Sequence, residues 1–129
     1  DRLVGSLDNP TLNARDRLIA YFDEWHQNQV GPNPEDRCLV VKLSAEVADL
    51  SKNMSQILEQ GVNAIIARLA RTLEEGIAEG SIAKIDDTNG LAEAIYHQWL
   101  GASLVASLSY NDAPFTSAMQ TTRKLVPAA

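Results

Sequence analysis

From Ala94 to Asn111 the chain reads AIYHQWLGASLVASLSYN, without one formally charged side chain, in a sequence where 22% of residues are charged. Helix formers fill its interior, and apolar or small residues fall on every face of the wheel. Ile95, Trp99, Ala102 and Ala106 make one stripe, Gly101, Val105 and Leu108 a second, and Leu100, Ser103 and Ser107 a third. A helix that is apolar all round must be covered all round. The remaining helices are too few to do that alone, so a second copy of the chain is expected to supply part of the cover. The run is long enough for a membrane span, but His97, Gln98, Ser103, Ser107, Ser109 and Asn111 are costly in lipid. It reads as a buried dimerisation helix, with no membrane partner.

At 129 residues the chain has single-domain length, enough to bury about two-thirds of its unfolded surface. Strand formers are sparse and helix formers dominate, so the fold class is all-α. Stop signals divide the sequence into about five helices. Arg2 to Leu7 reads as the end of an upstream helix, interrupted by Gly5 and closed at Asn9-Pro10. Asn13 or Asn9 caps the next, which runs to about Gln29 with Leu18, Phe22 and Trp25 on its inner face. Asn33-Pro34 opens another, to about Leu50, with Cys38, Val41, Ala45 and Ala48 on one stripe. Ser51 caps a long helix reaching Glu79, with Gly80 as its stop and Met54, Leu58, Ile65, Leu69 and Leu73 along it. Asp87 or Thr88 caps the uncharged helix, and Asn111-Asp112-Ala113-Pro114 turns into a last helix ending near Val126. The last two helices are therefore antiparallel neighbours.

Charge excludes one function directly. The net charge is −6, and no Lys or Arg occurs from Ile85 through Thr122. Nucleic-acid binding needs a basic face to neutralise phosphates, and this chain has none in sequence. The single cysteine, Cys38, rules out an internal disulfide framework, and no secretory, transit or lipidation signal is present. A reduced, cytoplasmic setting is expected. The first residue is Asp1 rather than Met, so the sequence reads as an interior fragment with an N-terminal neighbour.

No motif for catalysis, phosphate cradling or dinucleotide binding occurs, and no metal or cofactor is expected. His26 and His97 lack helical metal-ligand partners; His26 reads as solvated and His97 as a core or interface histidine, or a ligand contact. Glu46 reads as a solvent-facing or paired acid, or as a buried acid in a pocket. Phe22, Trp25, Tyr96 and Trp99 read either as core or as the wall of an apolar cavity. Cys38 reads either as a small buried hydrophobe or as a reactive thiol. Arg37 and the helix N-terminus favour thiolate, whereas burial among Leu39, Val41 and Leu43 opposes it.

Taken in order, Arg17-Leu18-Ile19-Ala20-Tyr21-Phe22, Arg37-Cys38-Leu39, Ala45-Glu46-Val47-Ala48-Asp49, Gly80-Ser81-Ile82, Trp99-Leu100-Gly101-Ala102 and Asn111-Asp112-Ala113-Pro114-Phe115 resemble the C-terminal domain of TetR-family transcriptional regulators, nearest the NemR-like branch. The resemblance spans nearly the whole chain. It implies an orthogonal helical bundle whose last two helices pair with those of a second subunit in a four-helix bundle. It also implies a small-molecule effector and operator DNA, the latter held only by an N-terminal helix-turn-helix domain absent from this sequence.

In some relatives a cysteine placed like Cys38 senses electrophiles or oxidants, helped by a basic residue soon after the Gly-Ala pair; here Val105, Ala106 and Ser107 stand in that stretch. Cys38 is therefore expected as a wall residue of modest reactivity. The expected effector site, for an apolar or electrophilic compound, is Phe22, Trp25, Cys38, Val41, Tyr96 and Trp99. The expected homodimer interface is Gly101, Ala102, Val105, Leu108, Phe115 and Met119. The function expected is the effector-sensing and dimerisation domain of a repressor, not an enzyme. The rival reading is a helical dimeric adaptor without an effector; an enzyme using Cys38 or the histidines is a third.

Overall fold

The computed structural model describes residues 2–30 and 51–129. The helix expected over residues 34–50, with Cys38, Val41 and Glu46, lies outside the described residues. Those described form a short 3-10 helix, Arg2–Asp8, and four α-helices: α1 (Ala14–Val30), α2 (Lys52–Glu79), α3 (Thr88–Ser109) and α4 (Ala113–Leu125). Among them the chain is all-α, with a single β-bridge between Ile82 and Ala128. The N-terminal segment expected as the end of an upstream helix is a 3-10 helix, Arg2–Asp8. No helix among the described residues is long and apolar enough to cross a membrane.

Local chemistry sets the helix ends. Asn13 starts α1, its carboxamide oxygen accepting from the Asp16 amide at 2.8 Å, while Asn9 closes a separate turn by accepting from Thr11. Ser51 Oγ accepts from the Met54 amide at 3.1 Å and Asp87 Oδ1 from the Gly90 amide at 2.9 Å, each satisfying an otherwise orphaned donor in a first turn. α2 stops at Gly80, whose φ of +90° is cheap only without a Cβ. There the Gly76 carbonyl accepts from the amides of Gly80, Ser81 and Ile82. Tyr110 ends α3 in the left-handed region at φ 55°, and Asn111 then accepts from the Ala113 amide at 2.8 Å.

α1 lies centrally, packed on the 3-10 helix, α2 and α4, and α3 packs on α2 and α4. The core joins Leu18, Tyr21, Phe22 and Trp25 of α1 to Ile66, Leu69 and Leu73 of α2, to Ile95, Tyr96 and Trp99 of α3, and to Phe115 and Ala118 of α4. Among the described residues, the N-terminal half of α2 adds nothing to the buried core. Met54 and Ile57 are exposed and Leu58 and Ile65 half-buried, so only the C-terminal half of the expected stripe reaches the core. Two distant contacts close the bundle: Glu79, at the end of α2, accepts from the Ala14 amide, and Arg15 Nε donates to the Val126 carbonyl at 2.8 Å.

Candidate effector core and dimerisation face

Helical spacing puts Leu18, Tyr21, Phe22 and Trp25 on the inner face of α1, opposite Tyr96 and Trp99 of α3. The structure brings Phe22, Trp25, Tyr96 and Trp99 into one cluster, all four fully buried. Phe22 stacks on Trp99 with centroids 4.8 Å apart, and Trp99 stacks on Phe115 at 6.0 Å. Phe115 in turn stacks on His26 at 4.9 Å. The stacked pairs therefore run from α1 to α3 to α4 and back to α1. Trp25 meets Tyr96 and Trp99 edge-on at 5.5 and 6.1 Å, the geometry that sets a positive ring edge against a negative face.

Each buried indole N–H has a hydroxyl acceptor. Trp25 Nε1 donates to Ser103 Oγ and Trp99 Nε1 to Thr122 Oγ1, both at 2.9 Å. The two hydroxyls donate onward to helix carbonyls one turn back, Trp99 and Ala118. Ser103 and Thr122 are themselves buried, so without them two indole donors would be stranded in a dry interior. Sequence reading missed these hydroxyls as site residues. Ser103 stands four residues after Trp99, a readable helical spacing, but nothing local ties Thr122 to a ring on another helix. It also missed Tyr21, buried edge-on to Phe22 at 5.0 Å.

The histidines fall differently from expectation. His26, expected solvated, is half-buried on Phe115, with Nε2 3.1 Å from Asp112 Oδ2. The α3–α4 turn thus comes back onto the end of α1, a contact no local pattern announces. His97 is exposed on α3 rather than in this chain's core.

The wheel of α3 splits in two. Ile95, Trp99, Ala102 and Ala106 are buried; Gly101, Leu104, Val105 and Leu108 are exposed, Val105 by 50% and Leu108 by 71%. Of the expected interface residues, Gly101, Val105 and Leu108 therefore line an open apolar face, and Met119 of α4 is half-buried against the core. Ala102 and Phe115 are not on that face. They lie beneath it in the protomer's own core, because Phe115 fills the space between the Trp99 and His26 rings.

Two carboxylates have shifted proton affinity. The Arg68 hydrogen bond lowers the Asp8 pKa, opposed by some desolvation. The Ala14 amide, followed by the Ser81 hydroxyl, lowers that of Glu79.

Over residues 14–122 the chain matches the family described as Tetracyclin repressor-like, C-terminal domain. It belongs to that family. It is 32% identical over 125 residues to the HTH-type transcriptional repressor NemR of Escherichia coli K12, covering 97% of this chain and 63% of that protein. The chain thus spans less than two-thirds of the length of the curated relative it matches. The crystal structure of E. coli NemR in its reduced form superposes with a TM-score of 0.89, over 99% of this chain and 66% of that one. A putative transcriptional regulator of the TetR/AcrR family, 36% identical, gives 0.80 over 96% and 64%. The regulatory protein TetR from Rhodobacter sphaeroides, 24% identical over 97% of this chain and 66% of that one, also gives 0.80 and shares the fold.

Proposed function

We propose that residues 1–129 are one domain, the effector-sensing and dimerisation domain of a TetR-like transcriptional repressor working in the cytoplasm. The observation that carries this reading is the division of α3. One side builds an aromatic core with α1 and α4, and the other is an uncharged, exposed stripe on a protein of net charge −6. A monomer has little reason to leave Gly101, Leu104, Val105 and Leu108 bare. A second copy packing the same face against itself accounts for them. Sequence kinship to a repressor supports the regulatory role.

The effector is a small apolar or electrophilic compound taken up beside Phe22, Trp25, Tyr96 and Trp99. Its action is a shift between operator-binding and released dimers, driven by a difference in its affinity for the two. Operator DNA, in this reading, is bound through a helix-turn-helix domain and not by these 129 residues.

The test compares two proteins by operator-binding titration at physiological salt: these 129 residues, and the same residues behind a helix-turn-helix domain. The longer protein binds its operator and is released by the effector, while the shorter one shows no affinity above background. Tight, sequence-specific binding by the 129 residues alone would contradict the assignment.

A further inference from the structure

The 3-10 helix Arg2–Asp8 lies before the family match, which begins at residue 14. Short 3-10 helices have poor hydrogen-bond geometry and rely on their surroundings. Leu7 is buried, and Ser6 Oγ bonds to Glu24 of α1. Beyond its packing on α1, the segment is also held from α2 by one guanidinium. Arg68 Nη2 donates to the Leu7 carbonyl at 2.9 Å and to Asp8 Oδ1 at 2.7 Å. Its other nitrogen, Nη1, is held by Thr72 Oγ1 at 2.6 Å and Glu75 Oε1 at 3.4 Å.

The Arg68 side chain is only 13% exposed, so its bonds to Thr72 and the Leu7 carbonyl are partly shielded, whereas its pairs with Asp8 and Glu75 face solvent. Arg17 of α1 backs the same cluster, with Nη2 3.6 Å from Glu75 Oε2 and Nη1 donating to the Leu12 carbonyl at 2.9 Å.

We infer that Arg68 is a latch that sets the docked position of the Arg2–Asp8 segment on the domain. Its fork grips main chain as well as side chain, so the segment, packed on α1, is also tied to α2. α2 in turn packs on α1 and α3, the two helices that carry the aromatic core. A displacement of α2 that turns the guanidinium away from the Leu7 carbonyl loosens the segment, leaving it held by its packing on α1, while the bundle stays folded. Lysine cannot replace it: an ammonium is a point donor without the planar fork that spans Thr72, Leu7 and Asp8 together. The role of release rests on the proposed repressor reading, whereas the latch does not, since its test needs neither effector nor operator.

The experiment is amide hydrogen exchange on the 129-residue protein, comparing residues 5–12 with the core amides of α2 and α3. In Arg68→Lys the segment exchanges on the order of tenfold faster than wild type, the loss of a charge-assisted bond. In Asp8→Ala, which keeps the Leu7 contact, it is about threefold faster; core amides stay unchanged in both. Raising salt speeds segment exchange in the wild type and leaves Arg68→Gln unaffected. Unaltered segment protection in Arg68→Lys and Asp8→Ala would overturn the proposal, because burial of Leu7 alone would then hold the segment. Equal acceleration of segment and core would also overturn it, making Arg68 a general stabiliser. Should Arg68→Lys not fold, the surface change Asp8→Ala decides.

Discussion

Thr122→Val tests whether the buried hydroxyls are structural partners of the tryptophans. Valine keeps the β-branched shape and most of the volume, so packing against Trp99 is preserved while the acceptor disappears. Trp99 and Thr122 are both fully buried, so no solvent reaches the stranded indole N–H. An orphaned buried donor costs about 1–3 kcal/mol. The Ala118 carbonyl loses the Thr122 hydroxyl but keeps helical acceptor geometry, and an added buried methyl returns about 0.8 kcal/mol. The net loss is about 0.2–2.2 kcal/mol. With a urea slope of about 2 kcal/mol per molar, the unfolding midpoint falls by roughly 0.1–1.1 M with an unchanged slope. The assay is urea unfolding followed by far-ultraviolet circular dichroism at fixed protomer concentration, since subunit association shifts apparent stability. Ser103→Ala strands Trp25 in the same way. A midpoint unchanged in Thr122→Val would refute the claim that this contact satisfies a dry donor.

Gly76→Ala pushes a Cβ into Ile82, whose Cγ1 and Cβ would lie 2.5 and 3.1 Å from it. Ile82 is buried and stiff about χ1, so a loss of about 1–3 kcal/mol is expected in thermal unfolding, and a midpoint equal to wild type would contradict it. Because the Glu79 pKa is lowered in the folded state, its contribution is present above the ordinary glutamate value and is lost as pH falls through the folded one. Glu79→Gln therefore flattens part of the acid side of the stability–pH curve, measured as unfolding midpoints at a series of pH values. An identical slope in variant and wild type would count against the Ala14 cap.

Helix ends were the legible part of this fold, because each is written locally: Asn13, Ser51, Asp87, Gly80 and Asn111 act within three or four residues of themselves. The 3-10 segment was not, since its attachment runs through Arg68, remote in sequence. In α3 the lack of charge signalled the need for cover but removed the contrast that says which side is which. Ser103 and Ser107 share a stripe, yet Ser103 is buried under Trp25 and Ser107 is exposed. The aromatic cluster was legible as a set because Phe22, Trp25, Tyr96 and Trp99 repeat at helical spacing. Joining Phe115 and His26 to it requires the α3–α4 turn to fold back over α1. That long-range geometry has no local signature, and so Phe115 was expected at the subunit interface.

The claim on which the functional reading turns is that the bare face of α3 meets its own copy. Light scattering behind size exclusion at micromolar concentration measures this directly against the 14.0 kDa chain mass. The wild type is expected at twice that mass. A double change of Val105 and Leu108 to glutamate, both solvent-facing in the single chain, is expected at the single-chain mass with its helical content intact. A wild-type particle of 14.0 kDa would contradict the account.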